Sequence, residues 1–123
     1  MRDHRDLIVW QKGMALAVDI YAVTAAFPRS EQFGLTSQIR RAAVSVVSNI
    51  AEGSGRRTTK DFYAFMHVTR GSLAELETQL ILPHRVGLLE NITKLARDVE
   101  EVGKLVNGVL RALERKMRQA AAE

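Results

Sequence analysis

The stretch from Leu35 to Lys60, LTSQIRRAAVSVVSNIAEGSGRRTTK, limits what this chain can fold into more than any other. Its apolar residues Leu35, Ile39, Ala43, Val46 and Ile50 follow spacings of four, four, three and four, which aligns them on one stripe of a helix. Arg41, Ser45, Ser48, Asn49 and Glu52 project from the opposite side. Gly53-Ser54-Gly55 is expected to stop the helix, because glycine adopts the left-handed conformation cheaply. A basic turn, Arg56-Arg57-Thr58-Thr59-Lys60, follows. On a helical wheel the apolar arc also takes in Ala42, Val44, Val47 and Ala51, roughly half the circumference. One neighbour cannot cover that arc, so a second partner is expected, and the economical one is another copy of the chain.

Three further helices frame this one. The first is expected over 7–27, starting at the N-cap Asp6 and ending before Pro28, with Trp10, Met14, Ala17 or Val18, Tyr21 and Ala25 buried. Trp10 reads as a core anchor rather than a platform for a base, since it lies on that stripe. The third, over 59–82, opens with Thr58-x-x-Asp61, a relative of the capping box. It carries Phe62, Met66, Thr69, Leu73, Leu76 and Leu80 in alternating steps of four and three, the seam of a bundle helix. Gly71 is expected to allow close helix approach there, and Pro83 to kink or end the helix near Leu82. The fourth, over 91–118 from Asn91 or Glu90, carries Leu95, Val99, Val102, Val106, Val109 and Leu113. Its tail is expected to fray, with Arg111, Arg115, Lys116 and Arg118 complementing the negative end of the helix dipole. The connectors are short, so consecutive helices should be antiparallel neighbours in one domain, 1–123: an all-α, up-down four-helix bundle.

Composition agrees with that class and removes others. Two prolines, seven aromatic residues and 46% hydrophobic content suit a helical core better than a sandwich or barrel. The chain has no cysteine, which excludes disulfides and thiolate metal sites and fits a reducing, cytoplasmic setting. No apolar run approaches the ~20 residues of a membrane span, and no membrane association is expected. A formal net charge of +4 tilts the chain toward anionic partners.

Catalysis finds little support. A di-iron bundle needs Glu-x-x-His on two helices, and no glutamate here has a histidine three residues on. His4, His67 and His84 are scattered and form no His-x-x-x-His pair. Ser45 and Ser48 lie on a regular helix with no histidine near in sequence, where hydroxyls relieve crowding. Glu75 and Glu77, two residues apart, point to different sides. No cofactor, no metal and no enzymatic activity are expected. Gly53 to Thr58 invites comparison with a phosphate-binding loop but lacks the spacing G-x-x-x-x-G-K-[ST]. What remains is a cluster of cations: Arg40, Arg41, Arg56, Arg57 and Lys60, the candidate contacts to a phosphate backbone of RNA or DNA. Arg40 and Arg41 lie about 100° apart on the helix, so one of them is expected to pair elsewhere, with Glu52 or a neighbouring chain.

The words RDLIVWQKG (Arg5 to Gly13), FGLTSQIRRAAVSVVSNIAEGSGR (Phe33 to Arg56) and GSLAELETQL (Gly71 to Leu80) give the chain a family resemblance. It resembles the bacterial four-helix-bundle family encoded in intervening sequences of 23S ribosomal RNA genes, which includes the accessory variability proteins of diversity-generating retroelements. The resemblance implies a homopentameric ring of antiparallel bundles. In the retroelement branch it also implies non-enzymatic nucleic-acid binding and association with a reverse transcriptase. Family members often carry proline where Val47 stands, so the kink such a proline makes is expected to be missing here. Beside the nucleic-acid reading stands a second one: a protein-interaction scaffold of the rRNA intervening-sequence type with no direct nucleic-acid role.

Overall fold

The computed structural model describes residues 3–122 and is all-helical among them. Four helices form the body: α1 Ile8–Thr24, α2 Leu35–Ser54, α3 Thr59–Arg85 and α4 Thr93–Ala122. Short 3-10 turns at His4–Asp6 and Arg29–Glu31 precede α1 and α2. Helix α2 packs against α1 and α3, and α4 packs against α3 and α1, so the four close a cycle of neighbours. The α2–α3 contact is the most extensive. Ile20, Ile39, Val46, Ile50, Met66, Leu76, Val102 and Val106 fill the centre and are fully enclosed.

The seam of α3 is as the spacing predicts: Met66, Thr69, Leu73, Leu76 and Leu80 are buried and Phe62 is partly so. Thr69, fully buried, directs its hydroxyl to the Phe65 carbonyl 3.1 Å away, so that hydroxyl is satisfied. In α4 the buried set is Leu95, Val99, Val102, Val106, Leu110 and Leu113. Val109, expected in that seam, is only half-buried and yields its place to Leu110. The helix begins at Thr93, whose N–H donates to Asn91 Oδ1 over 2.9 Å. It runs past residue 118 and is helical to Ala122, and Glu123 lies outside the described residues.

Helix α1 departs most from expectation. Its N-cap is Leu7, not Asp6, and the side-chain cap sits earlier, where Asp3 accepts from the Arg5 N–H. The buried residues are Val9, Gly13, Leu16, Ala17, Ile20 and Thr24. Trp10 and Met14 are half-buried, while Val18, Tyr21 and Ala25 are exposed. The reason is steric. Apolar residues line two sides of α1, and the side that includes Gly13 packs because its missing Cβ leaves room for Val47, whose Cγ1 lies 3.0 Å from where a Cβ would be. Trp10 packs on the core edge, with the His4 ring edge-on at 5.1 Å. The helix ends at Thr24 rather than Phe27: the Thr24 hydroxyl donates to Ile20 O at 2.7 Å, and turn-type bonds over Ala26 and Phe27 carry the chain into Pro28.

Glycine and proline also behave differently from their usual punctuation. Gly55 caps α2 in a right-handed conformation (φ −88°), so no left-handed stop is used there. Gly53 instead lets α3 approach, because a Cβ on it would lie 2.7 Å from Phe65 Cβ. Gly71, expected to serve that purpose, faces outward with nothing within 4 Å. Pro83 does not stop α3 near Leu82, since the helix runs on to Arg85. It sits in the last turn and forfeits one backbone bond, and its own carbonyl accepts from the Leu88 and Leu89 N–H groups. The positive-φ glycine that turns the chain is Gly87 (φ 85°).

Candidate nucleic-acid interface

The five cations singled out by sequence separate into two groups. Arg40 and Arg41 stand near the start of α2, and Arg56, Arg57 and Lys60 stand at the α2–α3 turn. About 22 Å of helix rise lies between them. Arg40 is used internally. Its Nε donates to Thr24 Oγ1 at 2.9 Å, one terminal nitrogen donates to Tyr21 O at 3.2 Å, and the guanidinium lies 4.4 Å from the Tyr21 ring centroid. It ties α2 to the end of α1 and has little left for a phosphate. Arg41, one position on, is exposed and lines grooves on both flanks of α2.

At the turn, Arg56 is the residue that meets Glu52, at 2.6 Å, with its guanidinium 4.8 Å from the Phe65 ring centroid. The pairing foreseen for Arg40 or Arg41 with Glu52 therefore belongs to Arg56. Arg57 and Lys60 are exposed, and no carboxylate among the described residues forms an ion pair with either. The first turn of α3 is already provided for. Thr58 Oγ1 accepts from the Asp61 N–H at 3.1 Å, and the Asp61 carboxylate sits in the positive end of the dipole. Attraction for an anion at this end thus falls to side chains.

Lys116 joins them, which sequence spacing did not reveal. Helix α4 runs back along α3, so its last turns stand beside the α2–α3 turn. Ser54, Arg56, Arg57, Thr58, Phe62, Val109, Ala112 and Lys116 line a cleft of about 400 Å³ at that end. Arg111, Arg115 and Arg118 lie on the same exposed stretch of α4. The cations along the α1–α4 side are compensated instead: Lys94 bridges Asp19 and Asp98 at 2.8 Å each and Lys12 meets Glu101, while on the α3–α4 side Lys104 meets Glu100. The Asp19 and Asp98 carboxylates hold the Lys94 ammonium above the ordinary lysine range, so it stays charged but committed.

A second cavity, about 720 Å³, follows the α1–α2 face and is lined by Tyr21, Phe33, Arg41, Val44 and Ser48. Phe33 is 90% exposed, which leaves a large aromatic side chain almost wholly in solvent. Ser45, read from sequence as relieving crowding, pairs across α2 and α3 with Ser72 at 2.8 Å, and Asn49 donates to both its carbonyl and its hydroxyl. Glu75 and Glu77 face different grooves, one toward α2 and the other toward α4. No group of three or more His, Asp or Glu side chains among the described residues is arranged to hold a metal ion. No helix among them is long and apolar enough to cross a membrane.

Three comparisons bear on identity. The sequence pattern of the 23S rRNA-intervening sequence protein family matches residues 5–108. The fold is similar to that of a crystal structure from Bacteroides thetaiotaomicron VPI-5482, described as a protein with unknown function from the S23 ribosomal protein family. The two are 24% identical, the TM-score is 0.75, and the likeness covers 84% of this chain and 98% of that one. No curated protein matches. Because the family pattern runs from the turn before α1 to the middle of α4, taking in all of α1, α2 and α3, the chain belongs to the 23S rRNA-intervening sequence protein family.

Proposed function

We propose that this chain is a non-catalytic, self-associating protein that binds the phosphate backbone of RNA or DNA at the α2–α3 end of its bundle. The observation that carries the reading is the gathering of Arg57, Lys60 and Lys116 around one end, with no carboxylate among the described residues paired to them. Arg41 serves a separate surface, and Arg40 and Arg56 hold the fold. Phosphate contacts of this kind give affinity without sequence preference. Self-association multiplies them. The exposed Phe33 beside Tyr21 and Val44 supports a face that a second copy covers, and a ring of five is the arrangement that the sequence resemblance implies.

Fluorescence anisotropy with a labelled RNA or DNA of arbitrary sequence tests the proposal. Three phosphate contacts from one copy lower affinity about 20- to 40-fold between 50 and 200 mM salt, and more when several copies engage one strand. Replacing Arg57 and Lys60 by alanine reduces the salt slope by about two. Absence of binding at low salt, or affinity indifferent to salt, refutes the proposal and leaves the protein-interaction scaffold as the surviving reading. A reverse-transcriptase gene beside this one, with template and variable repeats, supports assignment to the retroelement branch and makes that polymerase the partner to test.

A further inference from the structure

The cleft between the α2–α3 turn and α4 has more in it than a phosphate needs. Cations on an open surface, such as Arg41 and Lys60, are all that a polyanion requires. Here Arg57 and Lys116 line a recess of about 400 Å³ together with the apolar Phe62, Val109 and Ala112, which we take as its floor, and the hydroxyls of Ser54, Thr58 and Thr59. Phe62 and Val109 are only partly buried, so apolar surface faces the recess and awaits contact. A duplex keeps its bases stacked inside and presents phosphates alone, which would leave this floor wetted and unused. A single strand carries both halves of the complement: an anionic backbone for the rim and an unstacked, flat base for an apolar floor with an aromatic ring. The volume suits one nucleotide, lying at the small end of ligand cavities.

From that pairing of cationic rim and apolar floor, we infer that the cleft takes one unstacked nucleotide of a single-stranded nucleic acid, with the base against Phe62, Val109 and Ala112 and the phosphate at Arg57 and Lys116. The inference rests on the phosphate-binding reading of the preceding section and adds the class of strand. Arg56 shapes the wall but contributes little net charge, because Glu52 holds it. Ala112, on α4, projects into the recess without joining the closed core, so enlarging it fills the floor while the bundle stays intact.

The test is anisotropy with three 20-residue probes, oligo(U), oligo(dT) and a mixed-sequence RNA duplex, at low salt, on the wild-type chain and on Ala112→Phe. Circular dichroism and a melting curve check that the variant is folded. Wild type is expected to hold both single strands about tenfold tighter than the duplex, the lower range of what one stacked base contributes. Ala112→Phe should erase that preference and leave duplex affinity unchanged, and Phe62→Leu, which keeps apolar volume but removes the ring, should weaken it severalfold. Equal affinity of wild type for strand and duplex, or a preference that survives Ala112→Phe, overturns this inference while the phosphate reading stands. Failure of all three probes to bind wild type removes both.

Discussion

Gly53→Ala should destabilise the chain although it replaces the poorer helix former by the best one. The position lies one residue from the end of α2, where alanine gains at most about 1 kcal/mol over glycine. Against that gain stands a collision. The new Cβ would lie 2.7 Å from Phe65 Cβ and 3.0 Å from Phe62 Cδ1, about 1 Å inside ordinary carbon contact. A Cβ cannot swing aside as a side-chain tip can, so α3 has to move off α2 along the most extensive helix contact in the bundle. Overpacking of this kind costs about 1–3 kcal/mol, which leaves a net loss of about 0–2 kcal/mol. For 123 residues the unfolding entropy makes 1 kcal/mol worth about 4 °C, so Tm should fall by up to about 8 °C. Gly71→Ala is the control: it sits in mid-α3 with nothing within 4 Å of the new methyl, so propensity acts alone and Tm should rise by about 3–4 °C. Thermal melts by circular dichroism, at one protein concentration for all three chains, give the answer. A Gly53→Ala protein that melts at or above wild type would refute the packing argument, as would two variants that shift in the same direction.

Two other measurements probe separate parts of the molecule. The Tyr63 hydroxyl donates to Glu114 Oε1 at 3.0 Å, and this bond to a carboxylate raises its pKa above the ordinary value of 10.0. The contribution to stability is then fully present below pH 10 and is lost as pH rises through the raised value. Ultraviolet titration should show one of the two tyrosines ionising late, and Glu114→Gln should bring it down; two unchanged curves would contradict the pairing. At the α1–α2 face, Phe33→Ser should shift the chain toward monomers in light scattering at micromolar concentration without lowering the melting point of the monomer, because Phe33 makes no core contact.

How much of this was legible beforehand depended on how many ways a helix could be turned. Helices α3 and α4 each carry one apolar stripe against charged flanks, and their buried residues follow from spacing except at Val109, where Leu110 next door competes. Helix α1 is apolar on two sides, so period alone cannot rank them. A glycine with room for Val47 decides it, and that is a contact between segments 34 residues apart, outside the reach of a local pattern. Pro83 and Gly55 misled for another reason: Pro83 falls in the last turn of α3, where little helix remains for it to break, and α2 ends on a right-handed cap at Gly55 although glycine there permits a left-handed one. In the candidate interface, the separation of Arg40 from Arg41 was foreseeable from their angle on the helix. The partner that Arg40 takes was not, because Tyr21 had been counted in the core. Lys116 reads from sequence as a partner of the helix dipole and not of the turn, because its distance in sequence hides how near the two stand. The signal was nevertheless present, since an up-down bundle returns the end of its fourth helix to the start of its third.

The rods of this bundle are unequal. Helix α1 has 17 residues and α4 has 30, roughly 26 Å against 45 Å at 1.5 Å per residue. Enclosure on α4 stops at Leu113, and the final turns, with Arg115, Lys116 and Arg118, reach past it like a handle on a brick. Because those turns contribute so little to the enclosed interior, changes there in charge or length leave the body its shape.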